Sequence, residues 1–458
     1  MTQIRPFRGL RYQVSHVGDL AAIISPPYDI ISPDVQRALY ARSPYNVVRL
    51  EYGVERPSDS ATDNCYTRAA ADLRRWLAEG ILAPDERPAF YVYDQGFRHQ
   101  GAPYRRRCLL ARVRLEEWAA GVIRPHEHTM AQPKEDRLHL LRATRANLSP
   151  VLALYRDQDS HIAQTLDEAL AGKPPAAVAK AGDDSHTLWA IDDESTQARL
   201  AALFESLPLY IADGHHRYET ALNYRNERRA AALAWTGDEP ENFVLIGLTA
   251  ADDAGLLVLP IHRLVLLPPL DEEPLQTLAR YVSIERVDGA TGELDVALGR
   301  LLALMAERGR SGSAFGLCGP GDDRLFLVTL EDAASLVQRL CPDCPAEWRN
   351  LDMAVLHFAL LGMVLRINPD PIEEGGCVTT IDDARQACQA VREGRYSAAF
   401  LLNPVPVAQV LSVADAGRRM PRKSTFFHPK LATGLVINTL DCLVFTKRPS
   451  AASQSAGT

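Results

Sequence analysis

The stretch Leu207–Ala221 (LPLYIADGHHRYETA) constrains the fold most, because an apolar run ends abruptly there in a group of polar residues. The apolar run predicts a buried strand. Apolar residues at helical spacing after it, Tyr218, Ala221 and Leu222, predict a helix. Gly214 lies between them and can adopt a positive φ that lets a ligand approach the backbone. The sequence therefore predicts a strand, a tight turn and a helix N-terminus.

The polar residues of this turn suit phosphate chemistry. The free N–H groups after Gly214 and the helix dipole favour an anion, and Arg217 offers a planar fork to phosphate oxygens. Asp213 is a candidate Mg²⁺ ligand or base, and His215 and His216 are candidate donors or proton-transfer groups. The alternative is an N-cap with histidines at the surface.

A second polar cluster precedes a predicted strand at Val151–Tyr155. Its candidate residues are His126, Glu127, His128, Lys134 and Arg137. The pattern is not HExxH, so the spacing of a helical zinc protease is missing. In an extended segment the two histidines share one face and the glutamate opposes them. This density of charge predicts a second wall of a polar cleft, with Glu127 as a candidate base; a solvated loop is the alternative.

Two further groups of candidates lie nearer the C-terminus. Arg263 follows an extended stretch and is expected at the ligand-facing edge of a sheet. Lys423, Ser424 and Thr425 look like the end of a P-loop, but no GxxxxG precedes them, so we reject a Walker A motif. They remain candidates for binding phosphate or carboxylate groups. Glu373 and Glu374 form a loop that is a candidate for holding a metal or a base.

Near the N-terminus, Leu20–Ser25 and Asn46–Leu50 are predicted as strands. Between them, the rigid segment Pro26–Asp29 carries a tyrosine and a carboxylate, and either a structural turn or a site explains it. Asp63–Gly80 is predicted as a helix with one apolar stripe.

Alternating strand and helix signals predict a mixed α/β (α+β) fold. A stretch rich in Pro, Leu, Asp and Glu near residue 270 indicates a boundary. The predicted divisions are residues 1–265 as the main α/β domain, 266–350 as a smaller α/β lobe or insertion, 351–448 as a C-terminal α/β segment that completes the site, and 449–458 as a disordered tail.

Composition excludes several classes of protein. The net charge is −8 and the pI about 5.9, which counts against a nucleic-acid-binding protein. The sequence contains no run of about 18 apolar residues, so no membrane span is predicted. The N-terminus has no apolar region typical of a signal peptide. Eight scattered cysteines suit a reducing compartment, so we expect a cytoplasmic protein.

Two resemblances add to this interpretation. Several pieces of the chain resemble the uncharacterised DUF1015 family. These pieces are Ile4–Tyr12, Pro26–Ser32, Pro44–Leu50, Pro125–Thr129, Lys134–Arg137, Leu141–Val151, the DGHHR turn and Met420–Leu435. The turn itself resembles the phosphate-binding motif of the ParB/sulfiredoxin-like superfamily, which includes free serine kinases. This resemblance implies a ParB/sulfiredoxin-like phosphate-binding core with additional α/β lobes.

The same resemblance implies a nucleotide, ATP or ADP, as phosphate donor, with Mg²⁺, and a small hydroxyl metabolite, such as serine, as acceptor. Sulfiredoxin chemistry needs a cysteine in this turn, where His215 and His216 stand instead. The leading hypothesis is a kinase-like phosphotransferase. The alternatives are a phosphatase acting on a phosphoester such as phosphoserine, and a non-catalytic ParB-like regulator that binds a nucleotide or metabolite.

Overall fold

The computed structural model describes residues 1–266, 274–287, 294–319, 324–367 and 377–441. Glu373 and Glu374, the candidate metal or base loop, lie outside the described residues, as does the predicted tail 449–458.

The chain forms two compact units that exchange segments. Unit 1 comprises residues 1–124, 129–256 and the segment from 429 onward, and unit 2 comprises residues 125–128 and 257–428. The predicted division near residue 350 does not coincide with a boundary between these units.

The described regular elements alternate between strands and helices along most of the chain, which confirms a mixed α/β fold. In chain order the described strands are β1 (Ile4–Arg5), β2 (Leu10–Tyr12), β3 (Leu82–Pro84), β4 (Phe90–His99), β5 (Ala102–Arg114), β6 (Ile123–Pro125), β7 (Ala146–Asn147), β8 (Val151–Tyr155), β9 (Ala177–Ala181), β10 (Asp184–Ile191), β11 (Leu209–Asp213), β12 (Phe243–Ala250), β13 (Leu257–Leu259), β14 (His262–Val265), β15 (Ser283–Val287), β16 (Ser313–Cys318), β17 (Leu325–Leu330), β18 (Val378–Ile381), β19 (Ala398–Leu401), β20 (Phe426–His428) and β21 (Asn438–Thr439). The described α-helices are α1 (Val14–Val17), α2 (Pro33–Arg42), α3 (Val48–Glu51), α4 (Cys65–Ala78), α5 (Ala131–Thr144), α6 (His161–Leu170), α7 (Glu194–Phe204), α8 (His215–Ala231), α9 (Pro274–Leu278), α10 (Leu294–Arg308), α11 (Ala333–Leu340), α12 (Asp352–Ala354), α13 (Ala384–Arg392) and α14 (Val407–Asp415).

Unit 1 is built on a nine-stranded mixed sheet with the order β6-β11-β8-β12-β5-β4-β10-β9, and β1 pairs with β5. Strands β8 and β12 run parallel, whereas β4 and β5 form a long antiparallel hairpin. One face of the sheet carries alternating apolar residues such as Leu109, Ala111 and Val113. They pack against Phe204 of α7 and Tyr218 of α8, so the core fixes where β11 ends and α8 begins.

The predicted helix at Asp63–Gly80 is confirmed as α4. Asn64 caps it: the side chain accepts hydrogen bonds from the backbone N–H groups of Tyr66 and Thr67, and Thr67 Oγ1 accepts from the Asn64 N–H. The apolar stripe is buried, with Trp76 fully enclosed.

The prediction of two strands near the N-terminus is wrong. Leu20–Ala22 is a 3₁₀ turn in which the Asp19 side chain accepts a hydrogen bond from the Ala21 N–H, and the second stretch forms α3. Asn46 accepts a hydrogen bond from the Val48 N–H, which initiates this short helix. Both stretches are buried, and a short buried apolar run has the same pattern in a strand as in a helix.

Unit 2 is built on a six-stranded sheet with the order β15-β17-β16-β19-β14-β18. Helices α10 and α13 pack on one face, and the π-helix Val355–Val364, which continues α12, packs with α11 on the other. Strand β19 lies between β14 and β16. Segments on both sides of residue 350 therefore share one sheet.

No helix within the described residues has the length and apolar character needed to cross a bilayer.

Candidate functional site

The turn after β11 has the predicted geometry. Strand β11 ends at Asp213, Gly214 adopts a left-handed conformation with φ of 87°, and α8 begins at His215. The Tyr218 N–H donates to the Gly214 carbonyl oxygen, which closes the first helical turn. Gly214 is the N-cap residue, so the N-cap position itself contributes no side chain to the first N–H groups of the helix. Its N-terminus therefore has the geometry of an anion-binding helix end.

Two buried cations meet at the Asp213 carboxylate. Arg217 Nη2 lies 2.6 Å from Oδ2, and Lys430 Nζ forms an ion pair with Oδ1. The three side chains are 10–13% exposed. Lys430 Nζ also lies 3.6 Å from Asp29 Oδ2, so the predicted Pro26–Asp29 segment reaches the same cluster. We call Asp29, Asp213, Arg217 and Lys430 the turn cluster.

Opposite charges within the turn cluster stabilise the ionised forms of its side chains. Burial alone would raise the pKa of Asp213, but Lys430 and Arg217 outweigh it and hold that pKa well below its ordinary value. Burial would lower the pKa values of Arg217 and Lys430, and the carboxylates around them raise both instead. All three groups are therefore charged at neutral pH, and Asp213 is a weak base suited to holding the two cations.

The Arg217 side chain packs closely against Gly214. The Arg217 side chain folds back over the turn and donates from Nη1 to the Pro150 carbonyl oxygen at 2.5 Å. A Cβ at position 214 would lie 2.9 Å from Arg217 Nε. A side chain at this position would therefore displace the guanidinium, in addition to the strain of a positive φ.

Arg137 lies in a second buried ionic group beside the turn cluster. Its Nη1 donates to the Glu51 carbonyl oxygen at 2.8 Å and lies 3.6 Å from Glu51 Oε1. The guanidinium stacks over the Tyr28 ring at 4.0 Å, and Ser149 Oγ donates to Glu51 Oε1 at 2.8 Å. Burial raises the pKa of Glu51, opposed by Arg137.

A small cavity of about 50 Å³ joins these two groups. Its polar lining includes Glu51, Arg137, Ser149, Arg217 and Thr220. Two of the arginines predicted to bind phosphate, Arg137 and Arg217, thus face one space within unit 1.

The remaining predicted residues of unit 1 have protein partners. His215 is buried, and His216 Nε2 accepts a hydrogen bond from the Met130 N–H at 2.9 Å. In this arrangement Nε2 of His216 is unprotonated. Lys134 Nζ lies 3.2 Å from Glu219, which is also the acceptor of the Thr129 hydroxyl.

The other predicted residues belong to unit 2, where residues 125–128 pack with the segment before β20. His126 Nε2 and Thr425 Oγ1 share a hydrogen bond of 2.9 Å, and Glu127 accepts from the Lys423 N–H at 3.2 Å. His128 is exposed. Ser424 is buried and donates to the Pro421 carbonyl oxygen.

Arg263 is fully enclosed in unit 2. Its Nε donates to His357 Nε2 at 2.9 Å, and its Nη groups donate to backbone carbonyls that include those of Ile261 and Lys423. Burial lowers its pKa to about 9. All the described hydrogen bonds of Arg263 are to protein groups of unit 2.

The sequence singled out the turn but not all of its partners. Lys430 and Asp29 lie in or beside segments with candidate residues but are not themselves among the predicted site residues, and Glu51 directly follows the stretch Asn46–Leu50 that is predicted as a strand. Within the described residues, no three His, Cys, Asp or Glu side chains converge in a way that could hold a metal ion.

The fold and this site define a mixed α/β protein with a charged strand–glycine–helix turn. The chain belongs to the DUF1015 family, described as "Protein of unknown function (DUF1015)", whose family model matches residues 4–354. No curated protein matches the chain in a sequence search.

Solved structures match the chain at low similarity. A free serine kinase in complex with AMP aligns at 11% identity, over 70% of this chain and 86% of that chain, with a TM-score of 0.31. A conserved hypothetical protein from Pyrococcus furiosus aligns at 11% identity over 70% of this chain and 90% of that chain, also with a TM-score of 0.31. C-terminally truncated SbnI from Staphylococcus aureus aligns at 10% identity over 74% of this chain and 90% of that chain, again with a TM-score of 0.31.

Proposed function

We propose that this protein is a nucleotide-dependent phosphotransferase that phosphorylates a small hydroxyl metabolite, with serine as the first candidate. The observation that carries the proposal is the meeting of Arg217 and Lys430 at Asp213, directly before the N-terminus of α8, where glycine is the N-cap residue. The choice of serine follows the resemblance of the DGHHR turn to that of free serine kinases, and with it a ParB/sulfiredoxin-like core.

Phosphoryl transfer depends mainly on positioning and on stabilising the negative charge of the phosphate oxygens. A guanidinium, an ammonium and helix N–H groups at one turn supply the donors that such oxygens require. Asp213 keeps both cations oriented in the absence of a nucleotide, so little reorganisation is needed on binding.

The net charge of the turn cluster fits a requirement for Mg²⁺ in nucleotide binding. Its two carboxylates and two cations sum to zero charge, so the phosphates of a nucleotide would add an uncompensated negative charge. Mg²⁺ is usually held by substrate phosphates together with one or two carboxylates. Asp213 is the candidate protein ligand, and Mg²⁺ would neutralise the phosphate charge.

Asp29 is the candidate general base. Its side chain is 36% exposed, and its described ion pair is the 3.6 Å contact with Lys430, whereas Asp213 holds two cations at closer range. An exposed carboxylate beside the phosphate site can accept the proton of a substrate hydroxyl. We expect Asp29→Asn to retain nucleotide binding and to lose transfer.

Thermal shift with ATP and ADP, each with and without Mg²⁺, tests the nucleotide site. A ligand at about 100 times its dissociation constant adds about 2.7 kcal/mol to the free energy of unfolding, which a melting curve detects. We expect the shift in the wild type, its loss in Arg217→Ala and its retention in Arg107→Ala. Arg107 is a matched control because it pairs with Asp94 at 2.8 Å and is partly buried elsewhere in unit 1.

A turnover assay then separates the alternatives. Transfer of labelled phosphate from ATP or ADP to serine supports the kinase. Release of phosphate from phosphoserine without a nucleotide supports the phosphatase, and binding without turnover supports the regulator. A folded wild-type protein that shows no shift with any nucleotide contradicts the proposal.

A further inference from the structure

Unit 2 contains a cavity of about 440 Å³ that none of the predicted site residues lines. Small-molecule sites have volumes of about 300–1,000 Å³, so this space is large enough for a metabolite. It lies at the sheet edge where β17 and β19 end and β16 begins. Helices α11, α12 and α14 start beside it.

The charged lining of this cavity is mainly acidic. Asp352, Asp332 and Glu331 contribute carboxylates, and Arg310 contributes a guanidinium, so acids outnumber bases by three to one. Asp332 is already used, because its side chain caps α11 through the Ser335 N–H at 3.0 Å. The remaining excess of negative charge favours a cationic ligand.

Asp352 is the most buried of these three acids. It is largely buried, and its carboxyl accepts a hydrogen bond from the Ser313 hydroxyl. No cationic side chain in the described part of the chain forms an ion pair with it. Burial raises its pKa to about 6. A buried carboxylate without a cationic partner gains most from a bound cation.

Asn403 adds a second acceptor. Its Nδ2 donates to the carbonyl oxygens of Met305 at 3.0 Å and Ala314 at 3.3 Å. Among the described contacts its Oδ1 accepts none, so the amide oxygen is available to a donor. A carboxylate and an amide oxygen in one cavity match a ligand rich in N–H groups. Walls of Pro404, Val405 and Pro406 suit the carbon skeleton of such a molecule.

We propose that this cavity binds a small molecule with a protonated amino group, and that the ammonium is held by the Asp352 carboxylate. The site lies within unit 2, whereas the turn cluster belongs to unit 1. It does not depend on the phosphotransferase activity, so either proposal can fail without the other.

Calorimetric titration of the full chain tests this site. The amine probes are L-alanine, L-lysine, L-arginine and putrescine, and the neutral counterparts are N-acetyl-L-alanine and butane-1,4-diol. Concentrations up to about 10 mM allow dissociation constants near 1 mM to be measured. We expect at least one amine to bind at least about 10-fold more tightly than its neutral counterpart, because only the amine can form the charged hydrogen bond.

Two variants place the binding in this cavity. Asp352→Asn should weaken binding about 10- to 100-fold, the effect of removing a hydrogen bond to a charged group. Asp383→Asn is the matched control and should bind like the wild type, because Asp383 does not line the cavity and Asn preserves its cap on α13, where the side chain accepts from the Gln386 N–H at 2.8 Å. Val405→Trp fills the cavity from its wall and should abolish binding, which keeps the test open if Asp352→Asn fails to fold.

The proposal is overturned if no amine of this panel binds, if the neutral compounds bind equally well, or if the folded variants retain wild-type affinity. Binding that is lost equally in Asp383→Asn also contradicts it, because the loss would then not be specific to Asp352.

Discussion

The position of the Arg217 guanidinium depends on a glycine three residues earlier. Gly214→Ala should lower the free energy of unfolding by about 1 kcal/mol through its left-handed backbone. It should also weaken nucleotide binding, because the new Cβ meets Arg217 Nε. Gly182→Ala is the control, since Gly182 has a φ of 63° with nothing within 4 Å of an added Cβ. Urea unfolding and nucleotide titration measure the two effects; equal nucleotide affinity in both variants would contradict this account.

Asp352 should make unit 2 sensitive to pH. Its pKa is raised by burial to about 6, so its contribution to stability is present below about pH 4 and is lost as the pH rises through 6. The variant Asp352→Asn has no titrating carboxyl at this position and does not lose stability in this way as the pH rises. The variant should therefore gain about 2 kcal/mol of unfolding free energy relative to the wild type between pH 4 and pH 8. Urea unfolding at both pH values measures this gain, and a difference independent of pH would count against it.

At this scale the sequence predicts the turn but not its partners. Asp213, Gly214 and Arg217 are neighbours in sequence, so their chemistry is visible in one short stretch. Lys430 is 217 positions from Asp213, and no local pattern indicates which lysine of the C-terminal segment reaches the turn. Burial against the sheet decides that pairing, and burial of this kind is a property of the whole fold.

At the scale of elements, long periodic segments are predictable and short buried ones are not. Helix α4 follows from its spacing, because a repeated period identifies the buried face. Helix α3 is misassigned as a strand, since a segment of four residues, three of them buried, shows no period. The deciding interaction is the hydrogen bond from the Val48 N–H to the Asn46 side chain.

The cap of α4 gives a direct test at this scale. Asn64→Ala removes the side-chain acceptor for the N–H groups of Tyr66 and Thr67 and should cost about 1 kcal/mol of unfolding free energy. Asn64→Asp retains an acceptor and should stay close to the wild type. Urea unfolding measures both variants, and equal losses in the two would show that the cap does not stabilise α4.

At the scale of the molecule, the segment from residue 429 completes unit 1. It supplies Lys430 to Asp213, and Asn438 Nδ2 donates to Asn147 Oδ1 at 2.8 Å within the core. The Ile437 N–H donates to the Leu10 carbonyl oxygen at 2.9 Å. Unit 1 therefore depends on a segment that follows all of unit 2 in the chain.

A chain ending at residue 428 should lose cooperative melting of unit 1, because buried polar groups lose their partners. A chain ending at residue 448 should melt like the full protein, because the residues removed are those predicted as a disordered tail. Calorimetric melting compares the two. Unchanged melting of the shorter chain would contradict the role given to this segment.

The central claim is that Arg217 and Lys430 at Asp213 bind the phosphates of a nucleotide. The most direct measurement is calorimetric titration of ATP with Mg²⁺ into the wild type, Lys430→Met and Lys173→Met. Lys173 pairs with Asp192 at 3.0 Å in unit 1 and serves as the control. We predict binding by the wild type and Lys173→Met, and affinity at least about 10-fold weaker in Lys430→Met. No binding by the wild type, or equal affinity in all three proteins, would contradict the account.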